Sequence, residues 1–390
     1  MRKPVVTQLF KRAQGGFSLV EIMVGVTIGL LGVLIIMQVS SVFEGQKRTT
    51  TGGADAQTAG TIAFYSLERD LRRAGYGLTE PSVIGCNIKR YYDGAPAPDV
   101  RLTPVVITDG ADGKPDTIHI FASGKGNWSV PNRLIIEHPA TAVEATLNTK
   151  LGIRIDDLLI AYVPGQDNCT MFQVTGPLDA LNNLKMDDLK VEHKRGTKEG
   201  EGIWNPDNPA DLFPAIGYPV GTLVFNMGAM VDHTYTIDAG SNLMLTDATG
   251  AKVIASDVIS MQAEYGFDTR AGVQVEPRVD TWSATMIDAN GNGTTLNDGG
   301  DVARIVAVRM AMVVRSSLKE KPNAAGTCDV TIATAVGSRA ANAPSWAAGA
   351  IDVSKLPNGD ANPDWQCYRY KTFENIIPMR NLMWRENSAT

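Results

Sequence analysis

The 390-residue sequence predicts an α+β fold, in which one long N-terminal helix precedes a domain built mainly of antiparallel β-sheet. Two observations predict this class. Residues 17–37 form an apolar run in which only Glu21 is ionisable, and apolar residues then recur at three- and four-residue steps up to Ala74. Beyond Tyr76, short β-branched runs alternate with turn residues and with no helix-length pattern, which favours antiparallel pairing.

The predicted helix has two halves. A helix of about 20 residues, rising about 1.5 Å per residue, spans the roughly 30 Å hydrocarbon core of a bilayer. Residues 17–42 are therefore interpreted as a transmembrane and assembly half, and residues 43–75 as an amphipathic half that packs on a soluble domain. The basic residues within segment 1–16 favour a cytoplasmic N-terminus. We expect the chain to cross a membrane once.

The strands are predicted from runs of β-branched and aromatic residues. They are Val105–Thr108, Thr117–Phe121, Leu134–Ile136, Leu158–Val163, Met171–Val174, Leu223–Phe225, Thr234–Ile237, Val258–Phe267, Ile305–Val314 and Arg369–Ile377. Residues 76–390 are expected to form an exported β-rich domain. Segments 178–220 and 318–362, rich in glycine, proline and asparagine, are interpreted as surface excursions. The first could also divide two domains.

The N-terminal segment carries the most specific motif. A basic stretch ends in Gly16, Phe17 follows, and Glu21 lies four residues further on. A carboxylate at mid-membrane costs about 2.5–3.5 kcal/mol on insertion scales and is normally paired. The motif resembles the class III signal of type IV prepilins. The resemblance implies that 1–16 is a leader removed by prepilin peptidase, that Phe17 is N-methylated, and that Glu21 pairs with a neighbouring subunit's terminal amine. The alternative is an ordinary signal anchor.

Four later segments resemble the PilW-type minor pilins. They are Leu67–Tyr76, Val258–Asp268, Val306–Ser316 and Tyr368–Asn381. The resemblance implies a subunit that primes pilus assembly at the tip and contacts other minor and major pilins, a tip adhesin and the inner-membrane assembly platform. It also implies a single-pass inner-membrane protein with a periplasmic domain that later reaches the pilus. Type II secretion pseudopilins of the J class are one alternative, and a calcium-dependent adhesin domain on a pilin stem is another.

The charge balance argues against nucleic acid as a partner. The full chain has a net charge of −6, and segment 1–16 holds four basic residues and no acidic residue, so its removal leaves −10. A nucleic-acid-binding protein needs a basic surface. We therefore expect an acidic exported domain that binds other proteins.

The cysteines predict two disulfides, because an even number in an exported domain usually pairs. Of the three possible connectivities, Cys86–Cys169 and Cys328–Cys367 are favoured, since each closes a loop local to its part of the chain. The spacings are too wide for a zinc cluster.

One polar turn has the spacing of a calcium loop, with oxygen ligands at positions 1, 3 and 5 and Gly293 at position 6. The candidate ligands are Asp288, Asn290, Asn292, the carbonyl of Thr294, Asp298 and Asp301. Position 12 is Gly299, where an EF-hand has glutamate. The alternative is a hairpin turn without an ion, because Asn-Gly is a strong turn signal. The acidic turn at 109–116 has a similar but weaker pattern.

The sequence predicts no enzyme. The histidines, which are His119, His138, His193 and His233, are scattered, and no nucleophile elbow or metalloprotease motif occurs. His119 is expected to face the surface. Five tryptophans are candidate interface anchors or core residues: Trp128, Trp204, Trp346, Trp365 and Trp384.

Overall fold

The computed structural model describes residues 16–125, 130–196, 202–272, 276–295, 298–323 and 325–383. The leader upstream of Gly16 and two of the tryptophans, Trp128 and Trp384, lie outside these ranges. The described chain contains a long N-terminal helix followed by a mostly antiparallel β-domain, which confirms the predicted α+β class.

Helix α1 comprises Leu19–Arg73, and a boundary between two compact units falls between Gly52 and Gly53. Within the second unit the helix buries a stripe of apolar residues in the main core. These are Ala56, Ala63, Phe64, Leu67 and Leu71. Four of them, Ala63, Phe64, Leu67 and Leu71, are positions of the apolar repeat read from the sequence. The helix ends before Gly75, whose φ of +73° belongs to the left-handed region that glycine adopts without strain.

The β-domain consists of short strands and two short helices. In chain order the strands are β1 Asn87–Tyr92, β2 Ala95–Arg101, β3 Val105–Thr108, β4 Thr117–Ala122, β5 Asn132–Arg133, β6 Glu144–Thr146, β7 Leu158–Tyr162, β8 Asn168–Gln173, β9 Lys190–Glu192, β10 Leu223–Gly228, β11 Val231–Ile237, β12 Leu243–Asp247, β13 Gly250–Ala255, β14 Val258–Phe267, β15 Thr281–Ser283, β16 Ile305–Arg315, β17 Ser345–Trp346, β18 Gly349–Ala350 and β19 Tyr370–Pro378. The helices are α2 Gly299–Ala303 and α3 Arg380–Met383. The predicted strand at Leu134–Ile136 is wrong, because Leu134 makes only a single bridge to Leu147.

Three larger sheets organise these strands. Their orders are β2-β1-β8-β7-β10-β5, β13-β12-β11-β4-β3 and β15-β14-β16-β19. The pairing is antiparallel except between β1 and β8, which run parallel with Ile88 opposite Cys169. The five- and four-stranded sheets share the main core with α1. The central strand β7 of the six-stranded sheet is buried on both faces, since its Ile160 and Leu159 enter different cores.

Both favoured disulfides are present, Cys86–Cys169 and Cys328–Cys367. The first joins the start of β1 to β8 beside their parallel pairing. It links residues 83 positions apart, and a loop of that length corresponds to about 4–5 kcal/mol in the chain-entropy account of disulfide stabilisation.

The two segments interpreted as excursions also supply buried residues. Segment 178–220 includes β9 and contributes Leu184, Val191, Leu212, Phe213 and Tyr218 to the core on one face of the six-stranded sheet. Segment 318–362 contributes Ile351 and Val353 to a small cluster on β14 and β16. In the described residues, the strands of these two segments are only two or three residues long.

Candidate functional site on the long helix

The first half of α1 is an exposed apolar rod. Every large apolar side chain from Phe17 to Phe43 is exposed, and Phe17 itself is 80% accessible. Within the described residues this is the helix that is long and apolar enough to cross a membrane. Such a surface is stable only in lipid or against other apolar helices, because water around it is unfavourable. The protein is anchored in a membrane by this helix.

Glu21 and a row of glycines lie on this rod. Glu21 is exposed and is the ionisable residue between Phe17 and Phe43. A Cβ atom added at Gly25, Gly29 or Gly32 would meet nothing within 4 Å. Small residues let helix backbones approach closely in membranes. The rod therefore offers a carboxylate near its start and an open small-residue surface beyond it.

The second half of the helix is joined to β11 by a buried polar network. Asp70 is 1% exposed, and its Oδ2 lies 2.6 Å from Nδ1 of His233 and accepts a 2.8 Å hydrogen bond from the Tyr235 hydroxyl. Burial would raise the pKa of Asp70, but the hydrogen bonds with His233 and Tyr235 outweigh it and hold the pKa below its usual range. This site was not predicted from the sequence. Its signal was an acid on the apolar face, three residues after Leu67.

Asp232, which precedes His233 on β11, points to the other face of the sheet. Asp232 pairs with Arg90 at 2.7 Å and with Nε2 of His119 at 2.6 Å. A cleft of about 320 Å³ opens beside this cluster, with Trp204 packed edge-on against Tyr92 at 4.8 Å between ring centroids. His119 is thus half-buried beside this cleft, on the opposite side of the strand from the buried Ile118 and Ile120, in agreement with the expected alternation.

The other two histidines form a buried pair. His138 and His193, each 2% exposed, place their Nε2 atoms 2.8 Å apart among the rings of Phe172 and Phe213. In this hydrogen bond one Nε2 donates and the other accepts, so the two rings cannot both carry a proton on Nε2. Burial lowers the pKa of both, and for His193 the repulsion of His138 adds to this and brings the pKa to about 3.

This pair predicts a loss of stability in mild acid. Since the folded pKa of His193 lies below the unfolded value of about 6.5, the unfolded chain binds protons first. Stability is complete above pH 6.5 and falls by up to about 1.4 kcal/mol per pH unit as pH decreases towards 3. Urea unfolding of the full chain in detergent at pH 7.5, 6 and 5 measures this. His193→Gln should flatten the slope between pH 6.5 and 5, and an unchanged slope would contradict the assignment.

The predicted calcium ligands lie in one polar turn that leads into α2. Asp288 accepts hydrogen bonds from the backbone N–H groups of Gly291, Asn292 and Gly293, as an ion-free turn also would. Within the described ranges, no three His, Cys, Asp or Glu side chains form a ready metal-binding group. The structure therefore brings the candidate ligands together without showing a cofactor.

Two protein families match parts of this chain. The family described as Type IV Pilus-assembly protein W matches residues 218–381, which include strands β10 to β19. The Prokaryotic N-terminal methylation motif matches residues 11–37, including Gly16, Phe17 and Glu21. The chain therefore carries a PilW domain and a prepilin-type N-terminal motif, and it resembles the PilW-type minor pilins. No curated protein and no solved structure matches it.

This PilW-type protein is a minor pilin in type IV pilus assembly. It interacts with other pilus components. Neither match gives separate support to the pseudopilin or adhesin alternatives.

Proposed function

We propose that this minor pilin waits in the inner membrane, with residues 17–42 in the bilayer and its β-domain in the periplasm, and then enters the pilus at the tip as a priming subunit. The observation that carries the proposal is the exposed apolar rod from Phe17 to Phe43. A surface suited to lipid is equally suited to the core of a helical bundle, so transfer between the two requires no refolding of the helix.

Glu21 supplies the specificity of this transfer. In the described part of the chain no basic side chain forms an ion pair with it. Cleavage after Gly16 would place a free amine on Phe17, one helical turn from Glu21. In a bundle, the amine of a neighbouring subunit would neutralise this carboxylate, which would otherwise be costly to bury.

The partners follow from this route. Prepilin peptidase would remove the leader and methylate Phe17, and other minor and major pilins would pack on the rod. The acidic β-domain would meet the inner-membrane assembly platform and a tip adhesin. The proposed mechanism is burial of an apolar helix with one charge pair, and it includes no catalytic step.

Processing provides the direct test. The intact mass of the protein from native membranes should correspond to loss of residues 1–16 plus one methyl group, and only in cells that contain prepilin peptidase. Gly16→Val should block cleavage, because a bulky residue replaces the one before the scissile bond, whereas Ser18→Ala should be processed normally. An uncleaved N-terminus in the unsubstituted protein would make residues 17–42 an ordinary signal anchor and would overturn the proposal.

A further inference from the structure

The acidic turn before α2 holds a carboxylate that its own fold leaves half satisfied. Asp301 is fully buried. Its Oδ1 accepts hydrogen bonds from the backbone N–H groups of Ala289 at 2.7 Å and Asn290 at 3.0 Å. Its Oδ2 is buried and has no hydrogen-bond partner among the described residues. Buried polar atoms are normally paired, so an unpartnered carboxylate oxygen needs an explanation.

The residues around Asp301 add negative charge and do not neutralise its carboxylate. Burial raises the pKa of Asp301, and the nearby carboxylates of Asp298 and Asp288 raise it further. Asp298 caps α2 through Gly300 N–H and accepts from the side-chain amides of Asn290 at 2.9 Å and Asn292 at 2.5 Å. Three carboxylates and two amides thus gather in one turn, with no basic side chain forming an ion pair there in the described residues.

The weaker acidic turn, at 109–116, gives a useful contrast. Its buried acid is Asp116, whose Oδ1 accepts from Gly110 N–H at 2.9 Å and whose Oδ2 accepts from Ala263 N–H at 2.7 Å. Both oxygens are satisfied within the protein. The unmet oxygen therefore distinguishes the turn of Asp301 from another turn of similar composition.

We propose that this turn binds one Ca²⁺ ion, with Asp301 Oδ2 as the buried ligand and oxygens of Asp288, Asn290, Asn292 and Asp298 completing the site. All of these are hard oxygen ligands, which suit Ca²⁺, and its flexible coordination by six to eight oxygens suits an irregular turn. Because the three carboxylates do not form a ready metal-binding group as they stand, binding requires Asp288, Asp298 and Asp301 to draw closer together. It also requires the amides of Asn290 and Asn292, whose nitrogens now face Asp298, to turn their oxygens inward. Asp298 and Asp301 replace the glutamate that an EF-hand places near Gly299.

A melting experiment on the full chain in detergent tests the proposal, which does not depend on the role in pilus assembly. The chelator-treated protein is titrated with CaCl₂ from about 0.01 to 10 mM, a range that includes the affinities of extracellular calcium modules. We expect the melting midpoint to rise by about 3–5 °C at a hundredfold excess over the dissociation constant. MgCl₂ should give a smaller rise, because Mg²⁺ demands stricter octahedral geometry.

Two variants and a matched control locate the site. Asp301→Asn should abolish the calcium-dependent rise, and in chelator it should melt no lower than the unsubstituted protein, because it removes one of three neighbouring charges. Asp298→Asn retains a good helix cap and should weaken the rise. Asp112→Asn makes the same change in the exposed part of the other acidic turn and should leave the rise unchanged. The proposal would be overturned if calcium did not raise the melting midpoint of the unsubstituted protein. It would also be overturned if calcium raised the midpoints of Asp301→Asn and Asp298→Asn as much as that of the unsubstituted protein.

Discussion

Glu21→Ala should leave the minor pilin in the membrane fraction and reduce its incorporation into pili by at least about tenfold. Removing the carboxylate leaves residues 17–42 without an ionisable side chain, so insertion should be as efficient or more efficient, by up to about 2.5–3.5 kcal/mol on insertion scales. Incorporation should fail because the terminal amine of the neighbouring subunit then has no partner in the bundle. A buried charge left without its partner typically costs about 3–5 kcal/mol.

The measurement is the ratio of the protein in sheared pili to the protein in membranes. Glu21→Gln keeps the shape of the side chain and separates loss of charge from loss of size. Gln38→Ala removes an exposed polar side chain from the same helix and should have little effect. Normal incorporation of Glu21→Ala would show that the carboxylate has no role in assembly.

Asp70→Ala should lower the free energy of unfolding of the β-domain unit by about 3–5 kcal/mol. The substitution leaves the Tyr235 hydroxyl and the ring of His233 without the acceptor that now joins them to the helix. Asp70→Asn retains one acceptor oxygen and should lose less. Asp55→Ala changes an exposed acid on the same helix and should stay within about 0.5 kcal/mol.

The contribution of Asp70 also has a characteristic pH dependence. Since its folded pKa lies below the usual value of 3.8, the stabilisation is present above pH 3.8 and is lost as pH falls through the folded pKa. The pH range in which the Asp70 contribution is lost lies below most of the range in which His193 lowers stability. The two contributions to the free energy of unfolding can therefore be measured separately. Denaturant unfolding of the full chain, followed by tryptophan fluorescence, measures the effect. The pH is varied from about 2.5 to about 5, a range that brackets the usual carboxylate pKa of 3.8. Equal acid sensitivity in Asp70→Asn would contradict the assignment.

Much of the fold could be predicted because its signals are local. The apolar run after Phe17 and the stripe through Leu67 and Leu71 are periodic within the chain, and both halves of α1 follow from them. Strands β14 and β16 were also predicted locally, because each is a long segment rich in buried apolar residues. Strands β1 and β2 were missed, because Lys89 and Arg90 interrupt one and prolines occupy the other, and their pairing comes from neighbours in the sheet.

The sequence by itself determined the apolar anchoring helix, the N-terminal methylation motif around Gly16 and Phe17, and the resemblance to pilins, because each depends on residues close together in the chain. Only the tertiary structure decided which distant groups meet. It brought His233 to Asp70 across 163 positions, joined His138 to His193, and left Asp301 buried with one oxygen unpaired. These contacts depend on sheet order and register, so no local pattern could indicate them. The physical reason is that side-chain periodicity is a property of one segment, whereas burial and pairing are properties of the segments packed against it.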